Sequence, residues 1–219
     1  MFDYVKTITC GEGGALITNN ETYYKNADHY SDHGHDHVGT DRGAETHPFL
    51  GYNFRISELN AAVGCAQVKR LDEFLDLQKK HYTIVREALE GIDGITFRRI
   101  PEGGVENYSF LNFFLPTEEK ARKVHKALGA AGVDACFYWF DNNWHYYKKW
   151  QHLTNLTSLG KFPQEIIDGL PEYSKADFSK SDAWMGRNIS SLIKLSWTPE
   201  QVEIRAKRMA STITEGLTN

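Results

Sequence analysis

A single lysine, Lys6, precedes a Gly11-Glu12-Gly13-Gly14 turn that runs into the apolar stretch Ala15-Leu16-Ile17. A lysine amine becomes a nucleophile toward carbonyls when its site favours the neutral form, and the product is a Schiff base. The glycines beside it allow positive φ and let the backbone pass close to a bulky planar group. A second concentration of chemistry lies downstream, where His29, His33, His35 and His37 crowd nine residues. The alternation His33-Gly34-His35-Asp36-His37 resembles the spacing of metal ligands on a strand. Gly34 and Gly39 argue against a rigid arrangement, and no metal is expected there. His33 or His35 touching a substrate or a partner subunit is the favoured reading. Further on, Phe137-Tyr138-Trp139-Phe140 and Trp144-His145-Tyr146-Tyr147 form an aromatic group that can pack a core or stack on sugar faces.

These residues need elements to position them. Gly14–Thr18 is predicted as a strand, Glu21–Tyr30 as a helix, and residues 35–50 as a loop. Ser57 is a suitable N-cap for a helix whose apolar residues, Leu59 through Leu77, recur at helical spacing. That helix is expected to continue, with a break, toward Leu89 and to stop at Gly91 and Gly94. Ile95–Arg99 and Tyr108–Leu115 then read as strands, and Thr117 caps a helix ending near Ala131 with Gly132 as its stop. Val133–Tyr138 is a further strand. The span from Asp141 to Arg187 is irregular, with short helical pieces near His145–Trp150 and Phe178–Asp182. Ile189–Leu195 reads as the last strand, and Thr198-Pro199-Glu200 opens a closing helix. From Ile95 onward the order is strand, helix, strand, long insertion, strand, helix. That order fits a small α/β or α+β domain with helices packed on one sheet face.

Composition narrows the function classes. With 219 residues, 41% hydrophobic and 25% charged, the chain can bury a core and build one or two domains. Its formal net charge is −4 without a basic run, which speaks against nucleic acid as a partner. No apolar run reaches membrane-spanning length. Cys10, Cys65 and Cys136 are odd in number and match no zinc or redox spacing, which favours reduced thiols and a cytoplasmic setting.

The segment Lys6-Thr7-Ile8-Thr9-Cys10-Gly11-Glu12-Gly13-Gly14 resembles the cofactor-lysine segment of the pyridoxal-phosphate-dependent sugar aminotransferases, the DegT/StrS group. A second block, Gly51-Tyr52-Asn53-Phe54-Arg55-Ile56-Ser57-Glu58-Leu59-Asn60-Ala61-Ala62, resembles the next signature of that family at about the family's separation. The resemblance spans nearly the whole chain but only the C-terminal half of a family member. It implies an α/β fold, the C-terminal part of a fold-type I transferase. Residues 1–78 would form the tail of the large cofactor-binding domain with its connecting helix, and 79–219 the small C-terminal α/β domain.

By the same resemblance, Lys6 carries pyridoxal 5'-phosphate and moves the proton during amino transfer. Lysine rather than histidine at this position favours transamination over dehydration. Asn53 would reach the cofactor phosphate of the partner subunit in a homodimer, an amide donor being suited to a phosphate oxygen. Its local alternative is an asparagine that satisfies loop backbone. His33, Arg55, His145 and Arg187 are the substrate-side candidates; Arg55 has a competing role as a brace at the helix start. His145 aligns loosely with a family histidine, but Asn143-Trp144 replaces the usual proline before it. That departure points away from an ordinary nucleotide-linked sugar and toward an acceptor such as a keto-octulosonate. The implied reaction converts a keto sugar, nucleotide-linked or a keto-octulosonate, to an amino sugar with glutamate as donor, in polysaccharide or lipopolysaccharide biosynthesis. The missing half would carry the ring-stacking aromatic residue, the acid on the pyridine nitrogen and much of the phosphate cup, so the chain alone is expected to be inactive. The competing expectation is a non-catalytic half-protein acting as an interaction or regulatory module.

Overall fold

A computed structural model describes residues 1–40, 43–142, 144–170 and 177–218. They fall into two compact units, Met1–Phe74 and Leu75–Asn219.

The first unit is built around two helices and the loops they hold. Helix α1, Glu21–Ser31, starts at Asn20, whose side chain accepts the Tyr23 N–H at 3.1 Å. Helix α2, Glu58–Val68, starts at Ser57, whose hydroxyl accepts the Asn60 N–H at 3.2 Å. Each cap satisfies one of the donors that a helix start leaves without an intrahelical partner. The helical pattern breaks at Lys69 and Arg70, and α3, Leu71–Leu89, continues into the second unit.

The second unit has a four-stranded antiparallel sheet in the order β1-β2-β4-β3. Its strands are β1, Thr96–Phe97; β2, Phe110–Phe114; β3, Cys136–Phe137; and β4, Asn188–Leu192. The central pair runs in register from Phe110 opposite Leu192 to Phe114 opposite Asn188. Helix α4, Glu118–Ala130, follows β2, and Thr117 caps it through the Lys120 N–H at 3.1 Å. Short helices α5, Gln151–Thr154, α6, Gln164–Gly169, and α7, Ser179–Met185, fill the insertion before β4. Helix α8, Pro199–Thr218, closes the chain.

Period-two alternation in β2 sends Leu111 and Phe113 into the core and leaves Phe110, Asn112 and Phe114 on the other face. Against the inward pair pack Val85 and Leu89 of α3, Val124 and Leu128 of α4, Ile189 of β4, and Met209 and Ile213 of α8. The opposite face is aromatic: Phe110 lies 6.3 Å from Phe137, Phe137 stacks on Trp139 at 4.6 Å, and Phe114 meets Trp184 edge-on at 5.1 Å. Arg205 of α8, 8% exposed, fastens the helix to the β3 turn. It donates to Asp134 Oδ1 at 2.7 Å and to the Asp134 carbonyl at 2.5 Å, and its guanidinium covers the Trp197 ring at 4.6 Å. Lys194 pairs with the same carboxylate. Together the two cations hold Asp134 below the usual carboxylate range, with the Lys194 hydrogen bond the largest cause.

The predicted helices and the later strands are found with small shifts of their ends. Of the two plans expected for this region, the wholly antiparallel pairing selects α+β. The strand expected at Gly14–Thr18 is absent: the segment has no ladder, and Ile17 is 95% exposed. β-propensity alone makes no strand, because its backbone groups need a neighbouring chain to bond. The expected strands Ile95–Arg99 and Val133–Tyr138 shrink to two residues each. The pieces α5 and α6 stand in a region expected to be irregular, while Asp41, Arg42, Asn143 and residues 171–176 lie outside the described residues. Among the described residues, no helix is long and apolar enough to cross a membrane.

Helices α4 and α8 approach closely at Gly216, where an added Cβ would sit 2.9 Å from Val124 Cγ2. Alanine is favoured over glycine in a helix by about 1 kcal/mol, but overpacking against a stiff β-branched side chain costs about 1–3 kcal/mol. Gly216→Ala should therefore destabilise the second unit in urea titrations. Adding Val124→Ala should make the glycine replacement itself favourable; a stabilising single variant would contradict this packing.

Candidate functional site

Lys6 lies in a tight excursion at the start of the first unit. Phe2 N–H donates to the Gly13 carbonyl at 2.8 Å, Cys10 N–H to the Phe2 carbonyl at 3.0 Å, and Lys6 N–H to the Asp3 carbonyl at 3.1 Å. The lysine side chain is 47% exposed, and its Nζ stands 3.9 Å from Asp3 Oδ2. An exposed pair at that distance contributes at most about 1 kcal/mol, so the amine is not tied up. The glycine turn after it is pinned to the start of α2. Asn60 Nδ2 donates to the Glu12 carbonyl at 3.1 Å, and a Cβ on Gly13 would come within 2.8 Å of Ile56 Cδ1. Gly13 has φ +156°, and Cys10 beneath the turn is buried as a small filler.

The second constellation forms where α1 ends. Residues 52–54 run beside 30–33: Tyr52 N–H donates to the Tyr30 carbonyl at 2.8 Å, His33 N–H to the Tyr52 carbonyl at 3.0 Å, and Phe54 N–H to the Ser31 carbonyl at 2.9 Å. Gly34 and Gly51 meet backbone to backbone. A Cβ on Gly51 would lie 2.2 Å from the Gly34 nitrogen, and one on Gly34 would lie 2.2 Å from the Phe49 carbonyl oxygen. Gly34 is thus a point of fixation, which corrects the expectation that glycine spacing leaves the histidine run loose.

The fixed loop and the returning segment line a cleft of about 440 Å³ with Asp32, His33, His35, His37, Glu45 and Arg55. Asp32 is the hub. Its Oδ1 faces His33 Nδ1 at 3.0 Å and Arg55 Nη1 at 3.3 Å, and its Oδ2 faces His37 Nε2 at 3.2 Å. These groups, the His33 hydrogen bond first, hold its carboxyl down to about 2. His37 also bonds Asp28 Oδ2 at 2.8 Å, and that bond chiefly raises its ring above the ordinary histidine value. Asp36 folds inward on Thr46, whose hydroxyl donates at 2.5 Å and holds the carboxyl below its usual range. Asn53 accepts the Arg55 N–H and Nε–H, both at 3.3 Å, through Oδ1. With Oδ1 so engaged, its amide NH2 is the group left to donate.

Of the residues singled out in the sequence, His33, Asn53 and Arg55 come together around Asp32. Among the described residues, no hydrogen bond or ion pair joins Lys6 to them. His145 and Arg187 belong to the second unit. His145 lies edge-on to Trp139 at 4.6 Å, beside the buried Tyr146 and the exposed Trp144. The Arg187 guanidinium covers the Trp184 ring at 4.7 Å, and its Nε donates to the Ala183 carbonyl at 3.1 Å. Sequence reasoning passed over Asp28, Asp32 and Glu45. The signal for Asp28 and Asp32 was the histidine that directly follows each; Glu45, ten residues beyond its partner His35, had none.

Set beside known proteins, the sequence matches the profile of the DegT/DnrJ/EryC1/StrS aminotransferase family over residues 2–204. The chain belongs to that family. It is 32% identical over 87 residues to a GDP-perosamine synthase of Escherichia coli O157:H7, a match covering 40% of this chain and 23% of that protein. In structure it is similar to PseC of Helicobacter pylori, an aminotransferase of pseudoaminic acid biosynthesis, with TM-score 0.71 and 16% identity over 98% of this chain and 52% of that one. It is also similar to the PLP-form of a sugar aminotransferase, Spr1654 of Streptococcus pneumoniae, with TM-score 0.67 and 17% identity over 99% of this chain and 51% of that one. The chain thus spans about half the length of these solved relatives. The DegT/StrS family is pyridoxal-phosphate-dependent, and its fold accounts for the small antiparallel sheet of the second unit.

The glycine contact tests the cleft directly. Gly51→Ala should drive the two backbone segments apart at a cost of roughly 2–3 kcal/mol to the first unit. The amides of His33, Tyr52 and Phe54 should then lose hydrogen-exchange protection. All five tryptophans lie in the second unit, so tryptophan fluorescence should report unchanged unfolding there.

Proposed function

We propose that this chain is part of a pyridoxal-phosphate-dependent aminotransferase that converts a keto sugar to an amino sugar, with glutamate as amino donor. The observation that carries the reading is the exposed amine of Lys6 on a glycine turn braced by Asn60, inside a family match that begins at residue 2. The residues present fit the cofactor. An exposed primary amine suits its aldehyde, a glycine backbone suits a planar ring, and the amide NH2 of Asn53 suits a phosphate oxygen. When bound, pyridoxal phosphate supplies the electron sink for the carbanion formed beside the transferred nitrogen.

Each residue of the chain has a separate task in this reading. Lys6 anchors the cofactor, and its freed amine carries the proton to and from the substrate carbon. Asn53, held by Arg55, donates to the phosphate across a homodimer interface. Arg55 and Arg187 face acidic groups of the substrate, while His33 and His145 contact its hydroxyls. The aromatic setting of His145, with Trp139 beneath it and Trp144 exposed, gives the sugar apolar C–H faces a surface to rest on. That setting departs from the family pattern and supports an unusual acceptor such as a keto-octulosonate. Residues 1–78 act as the tail of the cofactor domain and 79–219 as the small domain, in a cytoplasmic enzyme.

Incubation with pyridoxal phosphate followed by borohydride should leave the pyridoxyl group on the peptide containing Lys6. In the whole protein that contains this chain, Lys6→Ala should abolish that label and lower amino transfer by at least roughly 100-fold. Label scattered over surface lysines, with turnover intact in Lys6→Ala, would overturn the assignment.

A further inference from the structure

The histidine loop carries more chemistry than substrate contact requires. Asp32, His33 and His35 each offer one ligand atom, and the three atoms lie within 4.8 Å of one another. We propose that they form a site for a zinc-type divalent cation, with a fourth position open toward the cleft.

The donor set selects the metal class. Two imidazoles and one carboxylate suit zinc and its first-row neighbours, whereas magnesium and calcium prefer all-oxygen shells. Three protein ligands with an open position match the form of zinc sites that bind exogenous ligands.

A second observation points the same way. His35 Nδ1 is buried and makes no hydrogen bond, although Glu45 Oε2 lies only 2.7 Å from it. The contact has the distance but not the direction of a hydrogen bond. A carboxylate so placed beside His35 is the outer partner that metal-ligating histidines commonly have.

The outer groups are also arranged for such a site. His37 holds Asp32 Oδ2, and Asp28 in turn holds His37, so the carboxylate is oriented with Oδ1 toward His33. Partners of this kind fix metal ligands in place. The backbone is committed as well. His33 and His37 both have positive φ, 59° and 53°, a conformation that costs energy for residues other than glycine and clusters at functional positions. The Gly34–Gly51 contact makes the loop rigid enough to keep the ligands together. Arg55 opposes the site, since its cation stands 3.3 Å from Asp32 Oδ1.

The test is direct binding by the untagged, chelator-stripped chain, and it does not depend on the aminotransferase reading. Zinc titrated against a chromophoric chelator should bind at one equivalent per chain. Cobalt should give the visible absorption of a nitrogen–oxygen site. His35→Ala should weaken zinc by roughly 100-fold or more, since loss of even outer partners costs about 10–100-fold. Asp32→Asn, of the same shape, should do likewise without altering the circular dichroism. Arg55→Gln should tighten binding, while His145→Ala should leave it unchanged. Absence of stoichiometric binding, or undiminished affinity in both His35→Ala and Asp32→Asn, would overturn the proposal.

Discussion

The first unit depends on the absence of two side chains. Gly34 and Gly51 touch through their backbones, and no other residue pair could approach so closely. That contact sets residues 52–54 beside the end of α1, which brings Asn53 and Arg55 to Asp32 and stacks the histidines along one wall of the cleft. The pairing of Arg55 with Asp32 follows from it. Asp32 can serve Arg55, His33 and His37 at once only because three separate pieces of chain converge on one carboxylate.

In the second unit the corresponding constraint is the pairing of β2 with β4. These strands are joined through five positions although about eighty residues separate them in sequence. Their inward side chains meet α3, α4 and α8, and their outward ones form the aromatic face that includes Phe110, Phe114 and Trp184. Burying one face and lining the other with half-exposed rings gives a rigid platform from which His145 and Arg187 are held against tryptophans. Loop residues placed on rigid scaffolds are the common bearers of function.

The two histidine readings belong to different levels of the same loop. As substrate contacts, His33 and Arg55 act outward, into the cleft. As part of a cation site, His33, His35 and Asp32 act on one another. The same backbone serves either purpose.

Much of the architecture was legible from local patterns. Asn20, Ser57 and Thr117 supply caps that work through neighbours three residues away, and the core residues of α3, α4 and α8 recur at helical spacing, so both are written into short stretches of chain. Lys6 and its glycines, with the block from Gly51 to Ala62, were enough for the family. Other features were out of reach of that reading. The strand expected at Gly14–Thr18 failed because a strand needs a partner, and propensity does not supply one. Asp28, Asp32 and Glu45 went unremarked because an acidic residue near a histidine is common until the fold turns both toward one space. The sequence by itself determined the family and the long helices, since those follow from motif residues and local spacing. Only the tertiary structure decided that His33, Asn53 and Arg55 share a carboxylate, because that convergence rests on a backbone contact between residues seventeen positions apart.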